Sequence, residues 1–204
     1  MIITISREFG SGGRELGKRL GKALDIPCYD NETIQLISER HGYDENYVAR
    51  IAESSVQVVY PLTIGRRFSM SPNPMINQAA KMTSEQCKII KNYAAQGDCI
   101  IVGRCADIFL KDHRPFRIFV YADTASKLQR CIARAVDGEK MSPAEIERNM
   151  KEIDRNRTKY RDYFTNIRWG AREGYDLCIN TSGKEIKALI PPLAQYIRCW
   201  FEQK

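Results

Sequence analysis

The sequence predicts an α/β fold in three layers, a parallel sheet with helices on both faces. Three observations predict it. Short, wholly apolar runs such as Cys99-Ile100-Ile101-Val102 alternate with longer segments whose apolar residues recur at helical spacing. The first apolar run leads through a glycine-rich turn straight into a helical pattern. No internal repeat or low-complexity linker interrupts the alternation, and 204 residues suit one domain, 1–204.

Each element has a local reason. Residues 2–6 are mostly β-branched and bounded by Arg7-Glu8-Phe9-Gly10, the pattern of a buried strand. Gly10-Ser11-Gly12-Gly13 supplies the turn, and Leu16, Leu20, Ala23 and Leu24 predict a helix over 14–24. Ile26-Pro27-Cys28-Tyr29 predicts a second short strand, and Asp30 or Asn31 caps a helix running to residue 40. Asp44 caps a shorter helix to residue 53. Residues 54–74, with Pro61, Gly65, Pro72 and Pro74 around Arg66 and Arg67, form the longest irregular stretch. A long helix over 75–95 stops at Gly97. Strands are expected at 99–102, 117–121 and 176–180, and a helix at 124–136. Ser142-Pro143-Ala144-Glu145 opens another helix with a serine N-cap and proline at the first helical position. The closing helix, 184–201, is expected to break near Pro191-Pro192.

Composition narrows the function. Apolar residues at 43% and charged residues at 28% give a sizeable core and exclude a disordered chain. The longest apolar runs fall well short of the roughly 18 residues of a membrane span, so no membrane partner is expected. The N-terminal run is too short for a secretory segment and has no basic flank, which makes the cytoplasm the expected compartment. Seven cysteines, an odd number without a C-x-x-C pair, read as small buried hydrophobes in a reducing compartment. With only His41 and His113 present, no zinc site and no protein metal ligands are assigned. The formal charge of +7 fits either a basic face for nucleic acid or arginines gathered on a polyphosphate cleft. Clustering between Arg148 and Arg172 favours the cleft, and no nucleic-acid-binding motif is present, so nucleic acid is not an expected partner. Homo-oligomer formation is left open.

The turn carries the chemistry. A standard phosphate loop reads G-x-x-x-x-G-K-[ST] after a strand; its backbone N–H groups hold phosphate, its lysine neutralises charge and its hydroxyl holds Mg²⁺. This chain has the strand, the glycines and the helix, but not the lysine. In register with that pattern, Arg7 replaces the first glycine and Gly13 stands in the lysine's place. Arg14 and Glu15 follow where small and hydroxyl-bearing residues belong. Arg14 or a lid arginine supplies the lost charge, or Lys18 reaches back from the helix, or the site holds phosphate without transferring it.

Outside the loop, Arg104 follows a fully apolar strand. That places it at the carboxyl edge of the sheet, where open α/β folds bind ligands. Its structural rival is an ion pair with Asp107. Arg157 and Arg161 are four residues apart and share a helical face, with Arg148 and Lys159 behind them, while Arg155 points elsewhere unless the helix breaks. Arg130 and Arg134 make a second such pair. Asp30 either contacts a substrate or caps a helix, and Asp123 is expected to cap the helix after it. Tyr160, Tyr163, Phe164 and Trp169 are read as packing residues.

The segment from Ile5 to Glu15, Ile5-Ser6-Arg7-Glu8-Phe9-Gly10-Ser11-Gly12-Gly13-Arg14-Glu15, resembles the opening of the cytidylate kinase-like family. So do Tyr29-Asp30, Val102-Gly103-Arg104-Cys105-Ala106-Asp107, Tyr175-Asp176-Leu177-Cys178-Ile179-Asn180-Thr181, and the series Arg157, Tyr160, Tyr163, Thr165, Trp169-Gly170. The resemblance implies a P-loop NTPase-like sheet, a small helical region for a nucleoside monophosphate over about 30–95, and an arginine-bearing lid over about 138–172. It implies ATP as donor, Mg²⁺ as cofactor, small-molecule nucleotides as partners, and a pyrimidine nucleotide such as CMP as acceptor. Cytidylate kinases themselves keep the lysine that this chain lacks. ATP phosphates are then expected on Gly10, Ser11, Gly12, Gly13, Arg14 and Glu15. The acceptor is expected on Asp30, Arg104 and Arg155, and the transferred group on Arg14, Arg104, Arg157 and Arg161. A non-catalytic nucleotide or phosphometabolite binder on the same fold is the alternative reading.

Overall fold

The structure, a computed structural model, describes residues 1–30, 35, 39, 74–134 and 141–203, with the side chains of 74–79 outside the description. Among these residues five strands form one parallel sheet in the order β2-β3-β1-β4-β5. They are β1 (Ile2–Arg7), β2 (Cys28–Tyr29), β3 (Cys99–Val102), β4 (Phe116–Tyr121) and β5 (Leu177–Asn180). The helices are α1 (Gly13–Leu24), α2 (Pro74–Ala95), the short α3 (Ala106–Phe109), α4 (Thr124–Arg134), α5 (Pro143–Asp162) and α6 (Ile186–Glu202).

Side chains alternate across each strand, and the two faces bury different helices. Ile3, Ile5, Ile100, Val102, Phe116, Ile118 and Val120 pack on Leu16, Leu20 and Leu24 of α1 and on Ile186, Ile190, Leu193 and Ile197 of α6. Cys99 and Ile101 face the other way, onto Met82, Ile89, Ile90 and Tyr93 of α2. The three-layer expectation therefore holds, with β1 at the centre between β3 and β4. At the far edge the Arg117 guanidinium donates to both Asp176 oxygens, at 3.0 and 2.9 Å, and the Arg117 N–H donates to the same carboxylate at 2.8 Å. This fork pins the start of β5 beside β4, and bonding to Asp176 raises the pKa of Arg117.

Most boundaries match the sequence reading, and the departures have physical causes. β2 is shorter than expected, because Asp25 ends α1 in a left-handed conformation and the Ile26 N–H turns back to the Gly21 carbonyl. α6 runs unbroken through Pro191 and Pro192. Both prolines lie on the exposed side, and so do Lys187 and Ala188, whose carbonyls a proline four residues on cannot bond and which water can reach. The opposite, buried stripe holds the helix on the sheet. Asp123 caps α4 as expected, accepting from the Ser126 N–H at 2.7 Å. Ser142 and Glu145 form a complete capping box at the start of α5. Of the cysteines, Cys99 and Cys105 are buried, but Cys178 and Cys199 are exposed, so the buried reading does not hold for all seven. Tyr163 is likewise exposed, not packed in the core.

The helices predicted to residue 40 and over 44–53 lie outside the described residues, apart from Gln35 and Glu39, which are helical. The irregular stretch over 54–74 also lies outside them, except Pro74, which opens α2. Residues 135–140, where the α4 pattern was expected to end, are outside as well.

Leu20 has no exposed surface and belongs to the core shared by α1, α6 and the sheet. Leu20→Ala should lower stability by roughly 2–5 kcal/mol. A urea titration should show an earlier midpoint, whereas Lys18→Ala on the exposed side of the same helix should move it little. An unmoved midpoint for Leu20→Ala would contradict the described core.

Candidate functional site

The parallel register brings two loops together. β1 ends at Arg7 and β3 at Val102, and the Gly103 N–H donates to the Ile5 carbonyl at 2.8 Å. The chain leaving β1 turns through left-handed backbone at Gly10 and Gly12 and enters α1. Its inner side is pinned. Ser11 Oγ donates to the Glu8 carbonyl at 2.8 Å, and Thr181 Oγ1, at the end of β5, donates to the Ser11 carbonyl at 2.7 Å. Lys127 of α4 holds the Glu8 carboxylate at 2.9 Å.

The outer side of the loop is open. Gly12 is the N-cap of α1 and offers no side-chain acceptor, so the N–H groups of Gly13, Arg14 and Glu15 open the helix without a cap. Such a helix start carries partial positive charge and suits an anion. A cleft of about 550 Å³ lies over it, lined by Gly10, Gly12, Gly13, Arg14, Arg7 and Arg157 among others. A second, narrow cavity of about 40 Å³ opens beside it between Arg7, Arg104, Arg157 and Arg161. Arg7 and Arg157 line both.

Each arginine is held by a different device. Gly103, Arg104 and Cys105 all have positive φ, at 77°, 59° and 52°, which is unusual for the two non-glycine residues. At Gly103 a Cβ would lie 1.7 Å from Nη1 of Arg7, so only glycine admits that guanidinium. Gln86 of α2 fastens the turn, its Nε2 donating to the Arg104 carbonyl at 3.1 Å and to the Tyr160 hydroxyl at 3.0 Å. Arg161 donates to Asp107 at 2.6 Å in a buried ion pair and lies over the Tyr175 ring. Arg157 donates to the Arg7 carbonyl at 3.3 Å and to Asp154 at 3.4 Å, above the Phe9 ring. Asp154 in turn accepts the Phe9 N–H at 2.7 Å. Burial pushes the Asp154 carboxyl above its usual range, despite that N–H and the nearby guanidinium.

The expected residues divide accordingly. The structure brings Arg104, Arg157 and Arg161 to one cavity beside the loop of Gly10, Ser11, Gly12, Gly13 and Arg14. Asp107 is spent on Arg161. Arg14 is half exposed at the cleft and pairs with Asp30 at 2.6 Å; the same buried Asp30 lies 4.0 Å from Arg7. Asp30 is thus placed as a counter-ion for two arginines, and the helix it would cap is outside the described residues. Glu15 pairs with Arg19 and Arg134 and not with Arg14. Because α5 is unbroken, Arg155 lies with Arg148 on its exposed outer side, away from the cluster. Arg130 bonds the carbonyls of Thr181 and Lys184 and braces the end of β5. Lys18 is exposed on α1 and does not line either cavity. Tyr160, Phe164 and Trp169 pack as expected, the last edge-on to Phe119.

Sequence reasoning missed Arg7, Gln86, Asp154 and Thr181 as site residues. Arg7 had a signal, since it ends a buried strand just as Arg104 follows one. Gln86 and Asp154 had none, being ordinary polar residues in helical patterns.

A polyphosphate fits the loop, because the helix start without a side-chain cap and several arginines line the same cleft. A protein-held Mg²⁺ does not fit. The Ser11 hydroxyl is fully buried and committed to Glu8, Glu15 is taken by two arginines, and the described residues contain no group of three or more ligating side chains. Among the described residues no helix is long and apolar enough to cross a membrane.

Comparison with known proteins agrees with this architecture. The sequence model described as the Cytidylate kinase-like family matches residues 2–183. No curated protein matches. Among solved structures, an uncharacterized protein from Eubacterium ventriosum ATCC 27560 is 23% identical with a TM-score of 0.69, covering 97% of this chain and 98% of that one. Shikimate kinase from Bacteroides thetaiotaomicron is 14% identical, TM-score 0.56, covering 99% and 98%. Shikimate kinase from Acinetobacter baumannii, in complex with shikimate, is 15% identical, TM-score 0.54, covering 97% and 93%. These likenesses are of fold, and the fold is P-loop NTPase-like.

The cluster has a pH signature. Burial pushes the Tyr160 hydroxyl from the usual 10.0 to about 12 and the Cys105 thiol from 9.0 to about 12. The folded state therefore binds these protons more tightly than the unfolded state, and their contribution is complete below the unfolded values. It is lost as pH rises from about 9 through 12. Urea midpoints measured from pH 7 to 11.5 should fall at the alkaline end, and less steeply in Tyr160→Phe. Equal slopes in the two proteins would contradict the burial of Tyr160.

Proposed function

The chain belongs to the cytidylate kinase-like family, and from that premise we propose that it is an ATP-dependent nucleoside monophosphate kinase whose acceptor is a pyrimidine nucleotide such as CMP. The observation that carries the reading is the shared wall between the two cavities. In-line transfer needs donor and acceptor phosphates in contact, with their repulsion neutralised. Arg7 and Arg157 line the cleft over the glycine loop and the cavity beside Arg104 alike.

In this reading the N–H groups of Gly12, Gly13, Arg14 and Glu15 hold the donor phosphates, with Gly10 and Ser11 shaping the turn. Arg104 grips the acceptor phosphate, since a planar guanidinium meets two phosphate oxygens at once. An acceptor phosphate oxygen bonds to the terminal phosphorus of ATP as the bond from that phosphorus to its bridging oxygen breaks. The products are two nucleoside diphosphates, and no covalent enzyme intermediate forms. Arg157 stabilises the charge on the group in transit. Arg161, tied to Asp107, positions Arg104 and Arg157, and Arg14 returns to the phosphates when it leaves Asp30. Residues 30–95 and 138–172 act as the acceptor region and the lid. ATP and Mg²⁺ enter together; the described residues provide no ligand set for the ion, and no step is assigned to it.

A second reading, a nucleotide binder without turnover, is favoured by one observation. The loop lacks the lysine, and its hydroxyl, on Ser11, is spent on the Glu8 carbonyl.

A coupled assay with ATP, Mg²⁺ and a panel of nucleoside monophosphates separates the two. CMP or UMP should be turned over, and Arg104→Ala should lower kcat/KM by roughly 10²–10³ while remaining folded, the range seen when one transition-state donor is removed. Nucleotide binding without turnover of any acceptor would establish the second reading.

A further inference from the structure

The position of the missing lysine is filled from another place in the chain. In the register of the phosphate-loop pattern, Gly13 occupies the lysine's position and Arg7 the first glycine's. A Cβ built at Gly13 would lie 2.6 Å from Cβ of Arg7 and 3.0 Å from its Cγ. No side chain can leave the backbone at Gly13 while Arg7 is there. The stem of Arg7 therefore runs through the space in which a lysine at that position would begin. Its guanidinium ends against Gly103 at the narrow cavity, and Arg7 also lines the cleft over the loop. It is buried, with Asp30 at 4.0 Å, and its backbone carbonyl is held by Arg157.

We propose that Arg7 is the functional replacement of the phosphate-loop lysine, delivered from the first position of the loop instead of the seventh, and that Gly13 is glycine to make room for it. This rests on the reading that the loop holds ATP. It sets Lys18 aside, which is exposed on α1 outside both cavities, and leaves Arg14, half exposed at the cleft and paired with Asp30, as a secondary contact. An arginine suits the altered position. Its fork meets oxygens on two phosphates at once, and burial against Gly103 fixes the geometry that a flexible ammonium would have to find.

The inference predicts a reciprocal exchange. Arg7→Gly should weaken ATP binding, measured by titration calorimetry, by roughly 10- to 100-fold, the value of a charged hydrogen bond. Gly13→Lys should weaken it too, because the new side chain collides with Arg7. The double variant Arg7→Gly with Gly13→Lys rebuilds the ordinary arrangement and should recover most of the affinity. Arg7→Met keeps much of the apolar stem and removes the charge; it should still unfold cooperatively in urea, and so be folded, yet lose affinity, which separates charge from packing. If Arg7→Met binds ATP as the wild type does, the replacement role is overturned while the kinase reading stands. If the double variant is no better than the worse single variant, the exchange of place is overturned. A wild-type chain that binds neither ATP nor inorganic tripolyphosphate overturns this inference and the kinase reading together.

Discussion

Several guanidiniums crowded into one partly buried place repel one another, and most of the site follows from how that repulsion is managed. Arg7, Arg157 and Arg161 come from β1 and two turns of α5, and each has a carboxylate from a different part of the chain. Asp30 follows β2, Asp154 lies one turn before Arg157, and Asp107 lies on α3. The Arg7–Asp30 and Arg161–Asp107 pairs cross between elements, and the Arg157–Asp154 pair within α5 reaches the first loop through the Arg7 carbonyl and the Phe9 N–H. The end of β1, the turn after β3 and the face of α5 are thus fastened by the same groups that shape the cavities. Removing one carboxylate would leave a buried charge uncompensated, which costs far more than an exposed ion pair contributes. With Arg104 added, the cluster holds more arginines than aspartates among the described residues. An anion is the natural complement.

Small residues set where those charges can go. Gly103 admits Arg7 at one end, and Gly13 clears its stem at the other. The left-handed turn over Gly103, Arg104 and Cys105 is held by Gln86 and by burial of the thiol. Strained backbone of this kind persists where surrounding contacts over-determine it. Here they do: Gln86 also bonds Tyr160, and Tyr160 is on the same helix as Arg157 and Arg161. The glycine loop is anchored in the same manner, through Thr181 to β5 and through Glu8 to α4. Loop, turn and helix therefore form one connected unit.

Much of the fold was legible in the sequence, because period-two and helical patterns report burial directly. The buried faces of β1, β3, α1 and α6 follow from where isoleucine, valine and leucine recur. Arg104 was legible for a topological reason, since a residue after a wholly apolar strand must emerge at the carboxyl edge. The same argument applied to Arg7, but its reading as a degraded glycine position obscured it. What linear sequence could not supply was pairing across distance. Asp107 with Arg161 and Gln86 with Tyr160 join residues 54 and 74 positions apart. The prolines of α6 misled for the opposite reason: local propensity argued for a break, and the buried stripe on the far side outweighed it.

The central claim is that the N–H groups opening α1 and the neighbouring guanidiniums bind one polyphosphate. Amide and arginine Nε–H resonances of the isotope-labelled chain, followed by NMR as ATP is added, test it most directly. The account requires the largest shifts at Gly12, Gly13, Arg14 and Glu15, together with the side chains of Arg7, Arg104 and Arg157. Shifts confined to the exposed outer side of α5 around Arg148 and Arg155, with the loop unperturbed, would contradict it.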